Sequence, residues 1–376
     1  SSPQNPSILS PTKSTNPEIS KDLLEQRKSY VLDQIENNLD YINSNMLNQY
    51  GKDAPQFDKE SIDLARIEEP VYQDPAFRIN APHFVFYALD KLQNGEYNEG
   101  EPFTLEEIET EGLRIYSTLD LDIQKIAEEQ VVKAVNTYGK LFGSENASLV
   151  VLNPKTGEVM AMVGSYNYFG KESPEGCVVG VNCRFEPQVN VVDTLQAYGS
   201  TLKPMIYYES FMRGTITPET LLEDSPIKIG NYTPKNYDDQ FSGIHPSRYM
   251  LVQSRNIPAI ILLDQIGVPN FINMLKEWGY TTMNNPNGYG VSMAVGGAEI
   301  KLIDHAQAYS VFANKGVLTQ HEVISKIIDK DGKVLYQHVP KSKQVADPRG
   351  VYLVNDILNG NKKGPGYSFD GRDMAG

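Results

Sequence analysis

The sequence contains few of the residues that bind metals or form disulfide frameworks. Its 376 residues include two cysteines and five histidines. A structural zinc site needs four ligands, and no histidine clusters with Cys177 and Cys183. The two cysteines share a glycine-containing loop, and form either a local disulfide in an oxidising compartment or a pair of ordinary thiols. We therefore predict no metal and no cofactor.

Long apolar runs and an excess of basic residues are also missing. No run of about 18 apolar residues occurs, so the sequence predicts no membrane-spanning helix. Lys and Arg number 34 against 48 Asp and Glu, for a net charge of −14. A nucleic-acid partner is therefore excluded, because phosphate binding needs clustered basic side chains. The chain does not begin with Met and shows no signal peptide, so we expect it to come from the middle of a longer protein.

A hydroxyl and an amine occur three residues apart in Gly199-Ser200-Thr201-Leu202-Lys203-Pro204. Residues at this spacing share a helical face, so the Lys203 amine is expected to reach the Ser200 oxygen. Proline is tolerated mainly in a first helical turn, so Pro204 predicts a helix that begins close to Ser200. The N-terminal end of that helix would favour a developing oxyanion. The stretch predicts a nucleophile with its base.

Spacing alone does not identify this site, because the Ser-x-x-Lys pattern also occurs at Ser10 and Ser225. Ser10 lies in a Pro/Ser/Asn-rich run and Ser225 precedes a proline, so neither precedes a helical pattern. The alternative to a catalytic role is a purely structural one, in which Ser200 is a helix N-cap near an exposed lysine. The prediction of a catalytic pair therefore depends on the surrounding residues.

Hydrophobic periodicity divides the chain near residue 112. Residues 1–18 predict a linker, and helical spacing follows over 19–48 and 58–68. After the boundary, the patterns predict a strand over 113–118, a helix capped by Asp120, a hairpin over 148–163, loops over 213–246, helices over 259–266, 270–278, 302–315 and 348–358, and a hairpin at Asp331-Gly332. With 40% hydrophobic residues, the chain can bury a substantial core.

A second motif extends the pattern into a family resemblance. Ser254-Arg255-Asn256 follows Ser200, and this order resembles that of penicillin-binding proteins and β-lactamases. Leu113–Asp120 resembles the start of the transpeptidase domain of class A penicillin-binding proteins, and Asn153–Gly157 their first hairpin. Other similar segments are Pro6–Pro11, Ala81–Phe84, Asn256–Ala259, Ala294–Gly297, Ala308-Tyr309 and Ala313-Asn314.

The resemblance implies an α+β fold of the serine β-lactamase and D,D-transpeptidase type. This fold has an antiparallel sheet flanked by helices and an all-helical subdomain. Residues 1–112 would be a helical linker region after a glycosyltransferase domain, and 113–376 the penicillin-binding transpeptidase domain. The family's Lys-Thr-Gly motif follows Ser-x-Asn, so Lys155-Thr156-Gly157, which precedes Ser200, is predicted to form a turn. We expect the third motif and the last strands beyond Gly376, and hence an impaired fragment.

The family mechanism carries over to four residues as an expectation. Ser200 would attack the D-Ala-D-Ala carbonyl of a peptidoglycan stem peptide, and its backbone N–H would supply half of an oxyanion hole. Lys203, partly neutral through burial, would accept the serine proton. Ser254 would relay a proton to the leaving group and Asn256 would orient Lys203 and the substrate amide. The alternative for Ser254 and Asn256 is a polar turn before Pro258.

The partners that the resemblance implies are peptidoglycan stem peptides, β-lactams and possible cell-wall synthesis complexes. The location implied is the outer side of the cytoplasmic membrane, with attachment only through an anchor that would precede Ser1. Two other functions stay open. One is a D,D-carboxypeptidase or β-lactamase on the same scaffold, although no deacylating glutamate is assigned. The other is a non-catalytic module that binds cell-wall peptide.

Overall fold

The structure is a computed structural model that describes residues 17–52, 54–69, 79–98, 100–285 and 288–359. The chain divides into two compact units, Ser1–Ile79 and Asn80–Gly376. The linker predicted over residues 1–18 lies almost entirely outside the described residues.

The described part of the first unit is helical. Its helices are α1 (Pro17–Asn37), α2 (Leu39–Tyr50) and α3 (Lys59–Ile67). The continuous helical pattern predicted over 19–48 is therefore interrupted at Asn38. Arg66 on α3 donates a 2.9 Å hydrogen bond to Glu36 on α1, which joins the two helices.

The described part of the second unit alternates helices and short strands. The helices are α4 (Pro82–Gln93), α5 (Leu105–Thr110), α6 (Leu121–Phe142), α7 (Lys203–Met212), α8 (Ser247–Val252), α9 (Asn256–Ile266), α10 (Val268–Glu277), α11 (Leu302–Ala313) and α12 (Pro348–Asn359), with a 3-10 helix over Val291–Val295. The strands are β1 (Arg114–Ser117), β2 (Leu149–Leu152), β3 (Val159–Val163), β4 (Leu195–Ala197), β5 (Leu221–Asp224), β6 (Gly243–Pro246), β7 (Glu299–Lys301), β8 (Val317–Thr319), β9 (Ile324–Ile328), β10 (Val334–Gln337) and β11 (Ser342–Gln344).

The described strands pair antiparallel, which agrees with the predicted α+β class. Strands β1, β9 and β10 form a three-stranded sheet, and β2 pairs with β3. The pairs β4 with β7, β5 with β6, and β8 with β11 complete the named strands. The predicted hairpin at Asp331-Gly332 joins β9 to β10 and is confirmed. Lys155-Thr156-Gly157 lies in the β2–β3 turn as predicted, with Gly157 at a φ of 78°.

Two hydrophobic cores occupy the second unit. In the sheet core, Phe84 and Leu92 of α4 pack with Val159 and Ile324 of the strands. The helical core surrounds α9, which contacts α7, α10 and the 3-10 helix. Helix α9 is mostly apolar because most of it is buried, and Asp264 and Gln265 near its C-terminal end are exposed. A helical region beside an antiparallel sheet is the arrangement that the sequence predicts.

The division between the two compact units, after Ile79, differs from the domain boundary predicted near residue 112. Helix α4 belongs to the sheet core, so the compact unit begins at Asn80, upstream of residue 112. Sequence periodicity shows where the element type changes, but not which earlier helix packs on the later strands. The assignment of 1–112 to a linker region stays a prediction.

Two predictions of local structure are corrected. Residues 213–246, predicted as loops, contain the antiparallel pair β5–β6. A loop rich in polar residues separates its two short strands. The helix predicted to begin near Ser200 begins at Lys203, after a tight turn over residues 199–202. Pro204 does lie in its first turn.

The choice that the sequence left open for the cysteines is resolved, since Cys177 and Cys183 form a disulfide.

Within the described ranges, no single helix is long and apolar enough to cross a membrane. The consecutive helices α9 and α10 reach that length and composition only together, and they are bent by 89°.

Candidate active site

The turn before α7 presents Ser200 at the protein surface. Gly199 adopts a φ of 59°, a left-handed conformation that favours glycine, and the Ser200 carbonyl accepts a 3.1 Å hydrogen bond from the Lys203 N–H. Ser200 is half-buried. Neither its hydroxyl nor its backbone N–H bonds to any residue that the structure describes. Both groups are therefore free to meet a ligand.

Three contacts with other segments of the chain support this turn. Tyr309 on α11 donates a 2.6 Å hydrogen bond to the Thr201 carbonyl, and Tyr198 donates a 2.8 Å bond to the Met293 carbonyl. Gly296 lies so close that a Cβ there would be 2.8 Å from the Cα of Gly199. The glycine pair that resembles the family at 296–297 thus has a packing reason.

Lys203 is the first residue of α7 and is almost completely buried, with a relative exposure of 1%. Burial lowers the pKa of its amine to about 7, because a charge is costly away from water. The nearby Arg255 charge lowers the pKa further, whereas Asp224 raises it. Near neutral pH a substantial fraction of the amine is unprotonated and able to accept a proton.

The Lys203 amine donates to the second motif. Its Nζ lies 2.5 Å from the Ser254 carbonyl oxygen, 3.2 Å from the Ser254 Oγ and 2.7 Å from the Asn256 Oδ1. These three acceptors match the three donors of an ammonium group. The backbone bond from the Lys203 N–H to the Ser200 carbonyl joins the two residues, but no side-chain hydrogen bond joins the Lys203 Nζ to the Ser200 Oγ. Ser200 lies in the turn before the helix, and the approach of its hydroxyl to the Lys203 amine stays a prediction.

Ser254 and Asn256 form a corner between α8 and α9. Ser254 adopts a φ of 52°, which is uncommon for a residue with a side chain, and Asn256 is the first residue of α9. The side chains of both residues accept a hydrogen bond from Lys203, and the Ser254 backbone carbonyl accepts the third. The structure therefore brings together Lys203, Ser254 and Asn256, and leaves Ser200 beside them on the preceding turn.

The sequence did not predict the residues that support this corner. The Asn256 backbone N–H donates a 2.8 Å bond to the Asn236 side chain, and Asn236 donates to the buried carboxylate of Asp224. Both residues belong to the β5–β6 segment that was predicted as loops. An arginine between the two site residues, at position 255, was the one signal that an acidic partner should be nearby.

A cavity of about 840 Å³ opens beside the Ser200 turn. Its lining includes Ala197 on β4, Gly296 and Gly297 after the 3-10 helix, and Tyr289. Strand β4 leads directly into Ser200, and Gly296 packs on Gly199. The lining does not include Ser200, Lys203, Ser254 or Asn256, so the cavity adjoins the segments that support the turn and is not formed by the candidate site residues.

The other candidate sites are not assembled in the described residues. No group of three or more His, Cys, Asp or Glu there is able to hold a metal ion. Of the other two Ser-x-x-Lys matches, Ser225 precedes an exposed Lys228, and Ser10 lies outside the described residues. Among the lysines that the structure describes, Lys203 alone is both buried and bonded to a Ser-x-Asn motif.

Comparison with known families identifies the family of the chain. A family model for the penicillin binding protein transpeptidase domain matches residues 147–376, which is more than half of the chain. The chain belongs to the penicillin-binding protein transpeptidase family. The matched segment contains Ser200, Lys203, Ser254 and Asn256.

Curated relatives are also penicillin-binding proteins. Penicillin-binding protein 2D of Bacillus subtilis (strain 168) is 29% identical over 78% of this chain and 40% of its own length. Penicillin-binding protein 1A of Neisseria meningitidis is 32% identical over 56% of this chain and 26% of its own length. The predicted resemblance to class A penicillin-binding proteins is therefore confirmed. The chain spans well under half of the length of these relatives.

Solved structures of penicillin-binding proteins share the fold. Penicillin-binding protein 1A from Haemophilus influenzae aligns with a TM-score of 0.67 at 20% identity, covering 96% of this chain and 67% of that one. The PonA1 protein from Mycobacterium tuberculosis in complex with penicillin V aligns with a TM-score of 0.60 at 16% identity, covering 76% and 72%. The predicted serine acyltransferase fold is confirmed by these likenesses.

Proposed function

We propose that this chain carries a serine D,D-transpeptidase site that acts on D-Ala-D-Ala stem peptides of peptidoglycan. The observation that carries the proposal is the buried Lys203 amine, which bonds to Ser254 and Asn256 and begins the helix directly after the Ser200 turn. A lysine whose pKa is lowered to about 7 is suited to general base catalysis near neutral pH.

The chemistry is acyl transfer in two steps. The Ser200 Oγ attacks the D-Ala-D-Ala carbonyl carbon while its proton passes to the neutral Lys203 amine. The peptide C–N bond then breaks, and the leaving D-alanine amine takes the proton through Ser254, whose Oγ lies 3.2 Å from Lys203. An amine of a neighbouring stem then attacks the acyl-serine carbonyl and forms the crosslinking amide, the ester C–O bond breaks, and the proton that the amine loses returns to the Ser200 Oγ through Lys203. For the proton transfer, the Lys203 amine has to give up one of its three present hydrogen bonds and meet the Ser200 hydroxyl instead. Catalytic hydrogen bonds of this kind commonly tighten only when substrate is bound.

Asn256 and the Ser200 N–H would stabilise the reacting groups. Asn256 holds the amine by its Oδ1, so the amide orients the base while the rest of α9 anchors it. The Ser200 N–H is unpaired among the described residues and is available to the developing oxyanion.

The wider setting is proposed from the relatives. PonA1 and penicillin-binding protein 3 from Mycobacterium tuberculosis were solved in complex with penicillin V and with aztreonam. We propose that β-lactams acylate Ser200 here, as mimics of D-Ala-D-Ala. The site would then operate at the bacterial cell envelope, outside the cytoplasmic membrane, in a protein that also carries glycosyltransferase activity and joins cell-wall synthesis complexes.

Covalent labelling with a fluorescent penicillin tests the proposal. The full-length protein, its Ser200→Ala variant and its Ser225→Ala variant are incubated with the reagent and analysed by intact mass and peptide mapping. Ser225 is the matched control, because it begins another Ser-x-x-Lys match that lacks a buried lysine. We expect a stable adduct on Ser200 in the wild type and in Ser225→Ala, and at least a hundredfold slower labelling in Ser200→Ala.

Other outcomes separate the alternatives. Rapid turnover of the reagent without a lasting adduct would assign a β-lactamase or carboxypeptidase activity. Binding without any covalent adduct would leave only a peptide-binding module. A second assay with a D-Ala-D-Ala peptide and an acceptor amine distinguishes crosslink formation from hydrolysis.

A further inference from the structure

A buried ion pair lies directly behind the Ser254–Asn256 corner. The Arg255 Nε donates a 2.7 Å hydrogen bond to the Asp224 Oδ2, and the two side chains are 6% and 0% exposed. Arg255 also donates to Asp238 at 2.9 Å and to the Gln240 carbonyl. Buried charges are costly unless they are paired, so this pair requires a reason beyond stability.

Asp224 also has neutral partners that connect it to the site. Its carboxylate accepts 2.8 Å hydrogen bonds from the Ser242 N–H, the Ser242 Oγ and the Asn236 Nδ2. The Asn236 Oδ1 in turn accepts the Asn256 backbone N–H at 2.8 Å. Asn256 thus touches Lys203 by its side chain and the Asp224 network by its backbone.

Arg255 and Asp224 act on the corner at two points. Ser254 is held in a left-handed conformation, and the residue that follows it is anchored by its whole side chain. The first backbone N–H of α9 is held through Asn236. A corner fixed on both sides keeps the Ser254 carbonyl and the Asn256 Oδ1 aimed at Lys203.

The pair also brings one charge of each sign close to the Lys203 amine. Arg255 disfavours the ammonium form, whereas Asp224 favours it. Other ionisable groups occur on every surrounding element, including Tyr207, Tyr208 and Glu209 on α7, Glu223 on β5, Lys235, Tyr237, Asp238 and Asp239 on the β5–β6 loop, His245 on β6, Arg248 and Tyr249 on α8, and Asp264 on α9. Asp238 is paired with Arg255, and Lys235 is exposed and paired with Asp239.

We propose that Asp224 and Arg255 are positioning residues, which hold the Ser254–Asn256 corner and balance the charge around the Lys203 amine. Their role in acylation rests on the proposed function, whereas their effect on Lys203 does not. Neither residue contacts the reacting atoms. The middle residue of this Ser-x-Asn motif is therefore functional, and its partner comes from the β5–β6 hairpin.

The test compares Arg255→Gln, Asp224→Asn and the double variant with the wild type. Each remaining single charge keeps partners, because Arg255 retains Asp238 and Asp224 retains Ser242 and Asn236. Arg248→Gln is the matched control, since it removes an arginine from the adjacent helix α8 whose exposed partner is Glu219. Folding of each variant is checked by thermal melting.

Two readouts are measured against pH. One is the second-order rate constant for labelling by fluorescent penicillin. The other is the Cε resonance of Lys203 in protein containing isotopically labelled lysine, assigned by its absence in Lys203→Met. We expect Arg255→Gln to raise both midpoints by about one pH unit and Asp224→Asn to lower them, with Arg248→Gln unchanged. The double variant should lie between the two single variants.

Equal midpoints of the Lys203 resonance titration in all folded variants would overturn the proposal. A pair with only a structural role would change the size of the labelling rate and the stability of the protein, but not the pH midpoint. If one of the single variants does not fold, the Lys203 midpoint of the other single variant and of the double variant is compared with that of the wild type. Shifted resonance midpoints without any Ser200 adduct in the wild type would support the positioning role and reject the proposed acylation. The two failures are therefore distinguishable.

Discussion

At the residue scale, the site depends on an amine placed where it cannot remain fully charged. Lys203 is buried beneath the Ser200 turn and donates to a carbonyl, a hydroxyl and an amide oxygen. None of these acceptors carries a charge, so they satisfy the hydrogen-bonding capacity of the group without offsetting the cost of its desolvation. The same burial that makes Lys203 a suitable base also lowers its contribution to stability.

The stability of the protein should therefore depend on pH through Lys203. Its folded pKa, about 7, is below the unfolded lysine value, so the unfolded chain binds more protons between these two values. Stability consequently rises as the pH increases above about 7, by on the order of 1 kcal/mol per pH unit. Urea unfolding of the wild type and of Lys203→Met, measured from neutral to alkaline pH, isolates this effect. Parallel stability curves for the two proteins would contradict it.

At the element scale, the Ser200 turn depends on a glycine contact with the segment after the 3-10 helix. Gly296 has a φ of 99°, and a Cβ there would approach the Gly199 Cα to 2.8 Å. Real Cβ atoms do not approach backbone so closely, so one of the two segments would have to move. The turn is thus held by tertiary contact as well as by its own hydrogen bonds.

Gly296→Ala should accordingly damage both stability and labelling. We expect a loss of about 1–3 kcal/mol, because the substitution combines an unfavourable backbone conformation with a backbone clash. Penicillin labelling should slow more than tenfold as the Ser200 turn shifts. Gly290→Ala is the matched control, since its φ is −125° and its Cβ would meet nothing within 4 Å. Equal behaviour of the two variants in chemical denaturation and labelling would reject this account.

The contact predicted between Ser200 and the Lys203 amine stays a prediction, whereas the contacts of that amine with Ser254 and Asn256 are observed. The Ser200 to Lys203 spacing predicts a shared helical face only if the helix includes Ser200. The structure begins α7 at Lys203, and the side chain of this lysine turns towards α9. The expectation that Ser-x-x-Lys and Ser-x-Asn form one site came from the family resemblance, and the three Lys203 bonds agree with it. The catalytic roles of the four residues stay a prediction.

At the scale of the whole second unit, the site is mounted on the helical core. Leu263 on α9 is completely buried in that core and lies two turns after the residue that holds Lys203. Leu263 belongs to the same hydrophobic core as Met205 and Ile206 of α7, so both helices are anchored in one core. Disturbing this core should therefore reach the site without touching any site residue.

Leu263→Ala should lower stability by about 2–5 kcal/mol, because it removes buried methyl groups and leaves a cavity. Leu141→Ala, at a position with 72% exposure on α6, is the control and should change stability by less than about 0.5 kcal/mol. Urea denaturation of both variants provides the comparison. Similar values for the two would mean that α9 does not carry the core as described.

The sequence predicted most helices and hairpins because their signals are local. Asp120 caps α6, Gly157 allows the β2–β3 turn, and Asp331-Gly332 joins β9 to β10. The β5–β6 pairing was missed because its strands are short and lie on either side of a long polar loop. The pairing of Asp224 with Arg255 was missed for the same reason, since it exists only when that hairpin folds beside the corner.

The sequence by itself determined the types and the order of the reactive residues, because a hydroxyl, an amine and an amide keep their chemistry wherever the chain places them. It also determined the family, through motifs with characteristic neighbours. Only the tertiary structure decided that Lys203 is buried, that its amine donates to Ser254 and Asn256, and that Asp224 and Arg255 lie behind them. Burial and charge balance arise from segments distant in the chain, and these set the proton affinity on which the proposed reaction depends.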